Sequence, residues 1–193
     1  MLKTRSIRSF IALEVPVELK RWIKEVQTQL RNETGATITW ARSEGIHLTL
    51  KFLGDVEEEL LPKIEQELVE IADRVPPIEL KTTTTGGFPN LRRPKVLWVG
   101  LEAVDELYRL QEDIDAALSK LGFPKEDRRF HPHLTVGRVR FVEKDCRMPE
   151  KFGEIKAPTH VWNAERIFLM SSELKPTGAE YAVIAEIPFR KNQ

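Results

Sequence analysis

The chain has 193 residues, of which 41% are hydrophobic and 31% are charged. This composition indicates a folded chain with a buried core and excludes a disordered or fibrous protein. Thirty Lys and Arg balance thirty Asp and Glu, so any polyanion must be bound by a local patch rather than by a broadly basic surface. The single cysteine, Cys146, excludes an internal disulfide and a cysteine-based zinc cluster.

Strands and amphipathic helices are predicted to alternate along the chain. Apolar runs and period-two alternation predict strands at residues 6–15, 45–54, 78–85, 95–101, 133–141, 166–171 and 181–189. Apolar residues at helical spacing predict helices at 17–31, 56–75 and 104–121. Glycine and proline predict turns at 86–87 and 176–178. The first apolar run, 10–13, is too short for a signal-peptide core or a membrane span, so we expect a cytoplasmic protein.

The order strand, helix, strand occurs twice with similar flanking sequences. The first copy runs from FIALE to IHLTL and the second from LWVGLE to PHLTV, at residues 10–14, 46–50, 97–102 and 132–136. Equivalent positions at the ends of the two copies lie 86 residues apart. A repeat of this length predicts two similar half-domains rather than a solenoid. We therefore expect one bilobal domain over residues 1–193, with equivalent residues facing each other across a cleft.

Each copy of the repeat ends in a His-x-Thr motif. Residues two apart in a strand point to the same face, so His47 lies beside Thr49, and His133 lies beside Thr135. The apolar residues between them point to the opposite face. Four His and 13 Thr give about 0.27 such pairs by chance, so two pairs at equivalent places in a repeat indicate a functional constellation.

Paired imidazoles and hydroxyls suit phosphoryl transfer. An unperturbed imidazole titrates near ~6.5, so one ring can be neutral and the other charged at cellular pH. The neutral ring can accept a proton from water, and the charged ring can donate one to a leaving oxygen. Threonine hydroxyls are short, stiff donors that can hold the non-bridging phosphate oxygens.

Other interpretations of these residues are weighed against this one. A single His-x-Thr on a half-buried strand is more often a structural hydrogen-bonded pair. His131 shares the predicted face of His133, so a metal site of His47, His131 and His133 is an alternative, although zinc sites usually combine His with Cys or carboxylates. Paired His and Thr need neither a metal nor another cofactor, and we expect none.

Together the motifs resemble those of a known family. The segments that carry the resemblance are RSFIA at 8–12, Trp40, HLTLKFLG at 47–54, GFP at 87–89, PKVLWVG at 94–100, RFHPHLTVGR at 129–138, SSEL at 171–174, Gly178 and Tyr181. They are similar to the bacterial and archaeal RNA 2′,3′-cyclic phosphodiesterases, historically called 2′-5′ RNA ligases, of the 2H phosphoesterase superfamily. The likeness spans nearly the whole chain. It departs at 145–151, a short proline-containing segment where relatives tend to have a longer helix.

The resemblance implies an α+β fold in which antiparallel sheets line a central cleft and helices lie outside. It also implies metal-independent hydrolysis of an RNA 2′,3′-cyclic phosphate to a 2′-phosphate. In such enzymes the first motif supplies the proton donor, here His47, and the second supplies the proton acceptor, here His133. Thr49 and Thr135 would bind the phosphate. The same geometry implies 2′-5′ ligation as a side activity when an RNA 5′-hydroxyl replaces water.

Three further residues are weaker candidates for substrate contact. Arg138 follows the second motif and could bind a phosphate, while Phe52 and Phe130 could stack on an unpaired base. We expect the partner of this protein to be RNA with a cyclic phosphate end, including tRNA fragments, and the protein to be a monomer without membrane contact. The alternatives are a non-catalytic RNA-end-binding module and a phosphodiesterase acting on 2′-5′ oligonucleotides or small cyclic phosphates.

Overall fold

Nine strands and four α-helices alternate along the residues described by the computed structural model, which are 5–31, 33, 35–102, 104–175 and 178–190. The strands are β1 (Ser6–Leu13), β2 (Ala36–Trp40), β3 (Leu48–Glu57), β4 (Ile78–Phe88), β5 (Val96–Leu101), β6 (His133–Val142), β7 (Val161–Ala164), β8 (Arg166–Lys175) and β9 (Gly178–Pro188). The helices are α1 (Val17–Leu30), α2 (Leu61–Ala72), α3 (Asp105–Ser119) and α4 (Met148–Glu154). None of the described helices is long and apolar enough to cross a membrane.

The strands form one antiparallel sheet with two halves. The order is β7-β4-β5-β6-β3-β1-β8-β9, and β2 pairs with β6. The first half of the sheet consists of β3, β1, β8 and β9, and the second half consists of β7, β4, β5 and β6 with β2. The halves meet where β3 lies beside β6, through the single ladder pair Leu48–Leu134. The α+β class and the duplicated antiparallel architecture predicted from the sequence are confirmed. The prediction was of more than one sheet. The structure has one continuous sheet, because this pair joins the two halves.

The two copies of the repeat match even in the irregularities of their strand pairing. β3 has an extra residue next to its motif, Leu50, where it pairs with β1, and β6 has an extra residue, Val136, where it pairs with β5. These bulged residues lie 86 positions apart, which is also the spacing of the two His-x-Thr motifs. β3 has a second extra residue against β1, Leu53, which has no counterpart in β6. The internal repeat is therefore preserved in the strand pairing beside the motifs.

Each bulge reverses the side-chain alternation that follows it. A bulge adds one residue to one strand, so the next side chains move to the opposite faces from those that simple alternation predicts. After the bulge in β3, Lys51 points to the helix side and is 2% exposed, whereas Phe52 points away and is 58% exposed. In β6 the equivalent residues are Gly137, which is buried, and Arg138, which is exposed.

One hydrophobic core lies between the sheet and the helices. It joins residues of the central strands, such as Leu48 and Leu134, to the apolar faces of the first three helices. The helix residues repeat every three or four positions, as expected for amphipathic helices: Leu19, Ile23, Val26, Leu30, Ile64, Leu68, Ile71, Leu107, Leu110, Ile114 and Leu118. The opposite face of the central strands carries both polar and aromatic side chains.

Several predicted boundaries are wrong. The helix predicted from residue 56 begins at Leu61. Val56 still belongs to β3, where it pairs with Ile7 of β1 and is 1% exposed. The turn predicted at 86–87 is part of β4, where Gly86 leaves room for the Trp98 ring. The sequence patterns did not predict β2, α4 or β7. In the turn predicted at 176–178, residues 176 and 177 lie outside the described residues.

Candidate active site

The two His-x-Thr motifs meet at the junction between the halves. His47 immediately precedes β3 and His133 begins β6, so the Leu48–Leu134 pair lies at the centre of both motifs. If this antiparallel register were extended by one residue on each side, each histidine would stand opposite the threonine of the other motif. Diagonal neighbours in such a ladder lie roughly 7–8 Å apart, and Cβ atoms directly opposite each other about 5 Å apart. Both leucines are 0% exposed in the core, so the imidazoles and hydroxyls lie on the other face.

The imidazoles are held by the same hydrogen bond in each half. His47 Nδ1 lies 2.6 Å from the Gly45 carbonyl oxygen, and His133 Nδ1 lies 2.6 Å from the His131 carbonyl oxygen. A carbonyl oxygen only accepts, so Nδ1 carries the proton in both rings. In the neutral tautomer, Nε2 is then the atom that can accept a proton, and in the charged form it can donate one.

Aromatic side chains fix the two rings further. The His47 ring stacks on Phe10 with centroids 4.5 Å apart, and Tyr181 meets it edge-on at 5.2 Å. Tyr181 also packs on Gly45, where a Cβ would lie 2.6 Å from the tyrosine ring. The His133 ring meets Phe88 at 5.0 Å and 87°. Phe10, Tyr181 and Phe88 were not predicted to lie at the site, although all three belong to the segments that carry the resemblance.

Burial lowers the pKa of both imidazoles. It brings the pKa of His47 to about 4, against the opposing effect of the Gly45 hydrogen bond and with a smaller lowering by the charge of Lys20. Burial also lowers the pKa of His133, opposed by the His131 carbonyl and reinforced by the charges of His131 and Arg138. Both rings are therefore neutral near pH 7 in the free protein. The expectation that one ring is charged at that pH therefore does not hold for the free protein.

The remaining candidate residues are divided between the site and the helix layer. Thr49 and Thr135 are half-buried and pair with Ala12 and Trp98, so they lie on the face of the imidazoles. Phe52 lies on the same face, 6.0 Å from the Phe10 ring, and its repeat-equivalent Arg138 is exposed. Phe130 instead packs against Tyr108 of α3, with ring centroids 6.0 Å apart.

A cavity of about 490 Å³ adjoins His47. Its apolar lining comes from β1, β8 and β9 and includes Ala12, Phe168, Met170 and Val183. Its charged lining consists of Glu14, Lys20, Arg42, Glu44 and Glu180. The cavity thus belongs to the first half of the molecule and opens the space next to one imidazole.

The donor atoms at the site are imidazole nitrogens and hydroxyl oxygens. Among the described residues, no three His, Cys, Asp or Glu side chains lie close enough together to hold a metal ion. The rings of His131 and His133 are 6.3 Å apart, and His131 is in contact with Phe88 and Trp98.

Comparison with known proteins agrees with this arrangement. The family model "LigT like Phosphoesterase" matches the chain twice, at residues 13–98 and 99–181, and each match contains one His-x-Thr motif. An RNA 2′,3′-cyclic phosphodiesterase of Methanocaldococcus jannaschii is 34% identical over 181 residues, which cover 93% of this chain and 99% of the relative. One of Thermotoga maritima is 33% identical, covering 95% and 96%.

Solved structures show the same fold. The structure of TT0787 of Thermus thermophilus is 29% identical and superposes with a TM-score of 0.76 over 97% of this chain and all of that chain. Escherichia coli LigT complexed with 3′-AMP is 19% identical with a TM-score of 0.75, covering 97% and 100%, and bears on the fold alone. The double match of the family model and the full-length relatives establish that this chain belongs to the LigT-like phosphoesterase family.

Proposed function

We propose that this protein hydrolyses RNA 2′,3′-cyclic phosphate ends to 2′-phosphates. The observation that carries the proposal is the pair of repeat-related imidazoles at the Leu48–Leu134 junction, each held through Nδ1 by a backbone carbonyl. Two rings with available Nε2 atoms on one face can serve one phosphate from two sides. The full-length relatives named as RNA 2′,3′-cyclic phosphodiesterases support this substrate class.

In the proposed reaction, water attacks phosphorus while its proton passes to Nε2 of His133. The bond from phosphorus to O3′ breaks, and Nε2–H of His47 donates a proton to O3′. The product carries a 2′-phosphate and a 3′-hydroxyl, and one water is consumed. The hydroxyls of Thr49 and Thr135 donate hydrogen bonds to the non-bridging oxygens, where charge grows as the attack proceeds.

The donor must be charged although His47 has a pKa of about 4 in the free protein. A cyclic phosphate is an anion, and an anion within hydrogen-bond distance of an imidazole favours its charged form. The Phe10 ring, stacked at 4.5 Å, also favours a cation against its face. We infer that substrate binding and protonation of His47 are coupled, which supports His47 as the donor.

The substrate contacts outside the phosphate are proposed from their positions on the same face. Phe52 can stack on a base of the RNA end, and Arg138 can pair with a phosphate. Stacking on a base is proposed for Phe130 only if its ring leaves the ring of Tyr108. We further propose one bilobal domain over residues 1–193, acting as a monomer in the cytoplasm on RNA ends that include tRNA fragments.

Ligation is a second candidate activity, favoured by the same geometry. If an RNA 5′-hydroxyl takes the place of water, His133 accepts its proton and His47 protonates O3′. The product is then a 2′-5′ phosphodiester. Because hydrolysis and ligation differ only in the attacking oxygen, the two should be lost together when either imidazole is removed.

The test uses RNA ending in a 2′,3′-cyclic phosphate, incubated with EDTA-treated protein. We expect the mass of the RNA to rise by one water and the new end to resist a phosphatase specific for 3′-phosphates, as a 2′-phosphate would. His47→Ala and His133→Ala serve as controls for contaminating nucleases. A 3′-phosphate product, or activity that disappears with EDTA and returns with zinc or manganese, would contradict the proposal.

A further inference from the structure

The relative position of the two His-x-Thr motifs depends on more than the sheet. In the described residues, β3 and β6 share only the Leu48–Leu134 ladder pair, whereas β1 and β3 pair along eight residues each. One pair of residues leaves the angle between two strands poorly fixed. Other contacts that cross between the halves must therefore help to set the separation of the imidazoles.

One such contact lies in the sheet itself, because β2, which the first copy encodes, pairs with β6 along five residues. A side-chain contact beside this ladder is made by Gln27 of α1. Its side chain is 3% exposed, and Nε2 donates to the Ala41 carbonyl at 2.8 Å and to the Val136 carbonyl at 2.9 Å. Ala41 lies in the connection that leads to His47. Val136 is the bulged residue directly after Thr135. A helix of the first half thus binds the motif strand of the second half.

The second side-chain contact is a buried ion pair. Lys51, two residues after Thr49, donates from Nζ to Asp115 of α3 and to the Pro124 carbonyl at 2.7 Å. The other carboxylate oxygen of Asp115 accepts from the Glu126 backbone N–H at 3.2 Å. The side chains of Lys51 and Asp115 are 1% and 13% exposed. Here a helix of the second half binds the motif strand of the first half.

The two side-chain contacts are equivalent within the repeat. The buried faces of α1 and α3 align at a spacing of 88 residues, which matches Leu19 with Leu107, Val26 with Ile114, Leu30 with Leu118, and Gln27 with Asp115. Gln27 binds the connection before the first motif and crosses to β6 at its bulge. Asp115 binds the connection before the second motif and crosses to β3 next to its bulge. The two contacts differ in the group that the motif strand supplies. β3 supplies the Lys51 side chain. β6 has Gly137 at the equivalent position and supplies the backbone carbonyl of Val136 instead.

We propose that Gln27 and the Lys51–Asp115 pair are positioning residues that set the separation of His47 and His133. This inference rests on the proposed function, and it adds three residues that do not touch the phosphate. Satisfied, buried polar contacts allow few alternative geometries, so together with the β2–β6 ladder they fix the angle between β3 and β6. A shift of about 1 Å between reacting groups can cost on the order of 10²-fold in rate.

The main experiment separates positioning from stability. In the double variant Lys51→Met/Asp115→Leu, both buried charges are replaced by apolar groups, which often preserves the stability of the fold. We expect a normal unfolding midpoint, a kcat that falls about 10²-fold and a KM that changes less than about threefold. Gln27→Leu should act in the same direction. Lys51→Arg retains a cation that can donate to Asp115 and to the Pro124 carbonyl. This variant should therefore keep most of the wild-type kcat.

Leu68→Ala provides the matched control. Leu68 is 0% exposed in α2, a helix that carries neither motif and neither crossing contact, so its truncation is expected to destabilise the core without loosening the junction. Below its unfolding midpoint this variant should keep the wild-type kcat. If the double variant keeps it too, or if Leu68→Ala loses as much as the double variant, positioning is refuted. A wild-type protein without activity on cyclic phosphate ends would instead refute the proposed function.

Discussion

At the scale of single residues, the lowered pKa values of both imidazoles define the pH dependence. In the active form one of the two imidazoles, His47 or His133, is charged and the other is neutral. The pH profile of kcat/KM should therefore be bell-shaped, and its limbs should report the coupled pair. Burial lowers both pKa values in the free protein, and kcat/KM reports the free protein. We therefore expect the alkaline limb below the imidazole value of about 6.5.

The same measurement gives an internal comparison. The limbs of kcat report the substrate complex, in which the phosphate anion favours the charged imidazole and raises its pKa. The kcat profile should thus lie at higher pH than the kcat/KM profile. Coincident profiles, or an alkaline limb of kcat/KM well above 6.5, would show that burial does not control these rings.

The roles of donor and acceptor can be separated by the leaving group. His47→Ala and His133→Ala should each lower kcat by roughly 10²–10⁴-fold. Thr49→Val and Thr135→Val should cost less, because a hydrogen bond to a charged group is worth about 1.5–3 kcal/mol. On a substrate whose 3′ leaving group needs no protonation, His47→Ala should regain much of its rate. Rescue of His133→Ala instead would reverse the assignment.

At the scale of elements, the loop before β3 depends on Gly45. Its carbonyl holds His47, and a Cβ at this position would lie 2.6 Å from the Tyr181 ring. Gly45→Ala should therefore displace this carbonyl or the tyrosine, lowering kcat and destabilising the fold by about 1–3 kcal/mol. Kinetics and thermal unfolding would measure both effects.

Gly54→Ala is the control for Gly45→Ala. Gly54 has a φ of 73°, so alanine is strained there, but its Cβ would meet no atom within 4 Å. This variant should lose stability while keeping kcat. If Gly45→Ala also keeps its kcat, the packing of Tyr181 on the loop does not control His47.

Sequence patterns predicted the chemistry better than the element boundaries. The spacing of two in His47-x-Thr49 and His133-x-Thr135 predicted the shared face, because no bulge lies between the paired residues. Simple alternation would also put Lys51 on that face, but the bulge at Leu50 turns it into the core. Bulges are set by pairing between distant segments, and a local pattern does not contain that information.

At the scale of the whole molecule, the repeat was predictable and its assembly was not. Matching sequences 86 residues apart indicated two equivalent halves, and the double match of the family model agrees with this. The sequence did not indicate that β2, encoded in the first copy, pairs with β6 of the second. Nor did it indicate that Gln27 and Asp115 cross between the halves, because a polar residue on a buried helix face does not identify its partner; Gln111 is buried on α3 as well.

The chain order of the strands has a consequence for biosynthesis. Apart from β2, the second half of the sheet uses strands from one continuous stretch, β4 to β7, whereas β1 pairs with β3 on one side and with β8 on the other. During translation, the side of β1 that receives β8 has no strand beside it until Arg166–Lys175 leaves the ribosome. The half of the site containing His47 is therefore completed last, and an interrupted chain would present β1 as an open edge to neighbouring nascent chains.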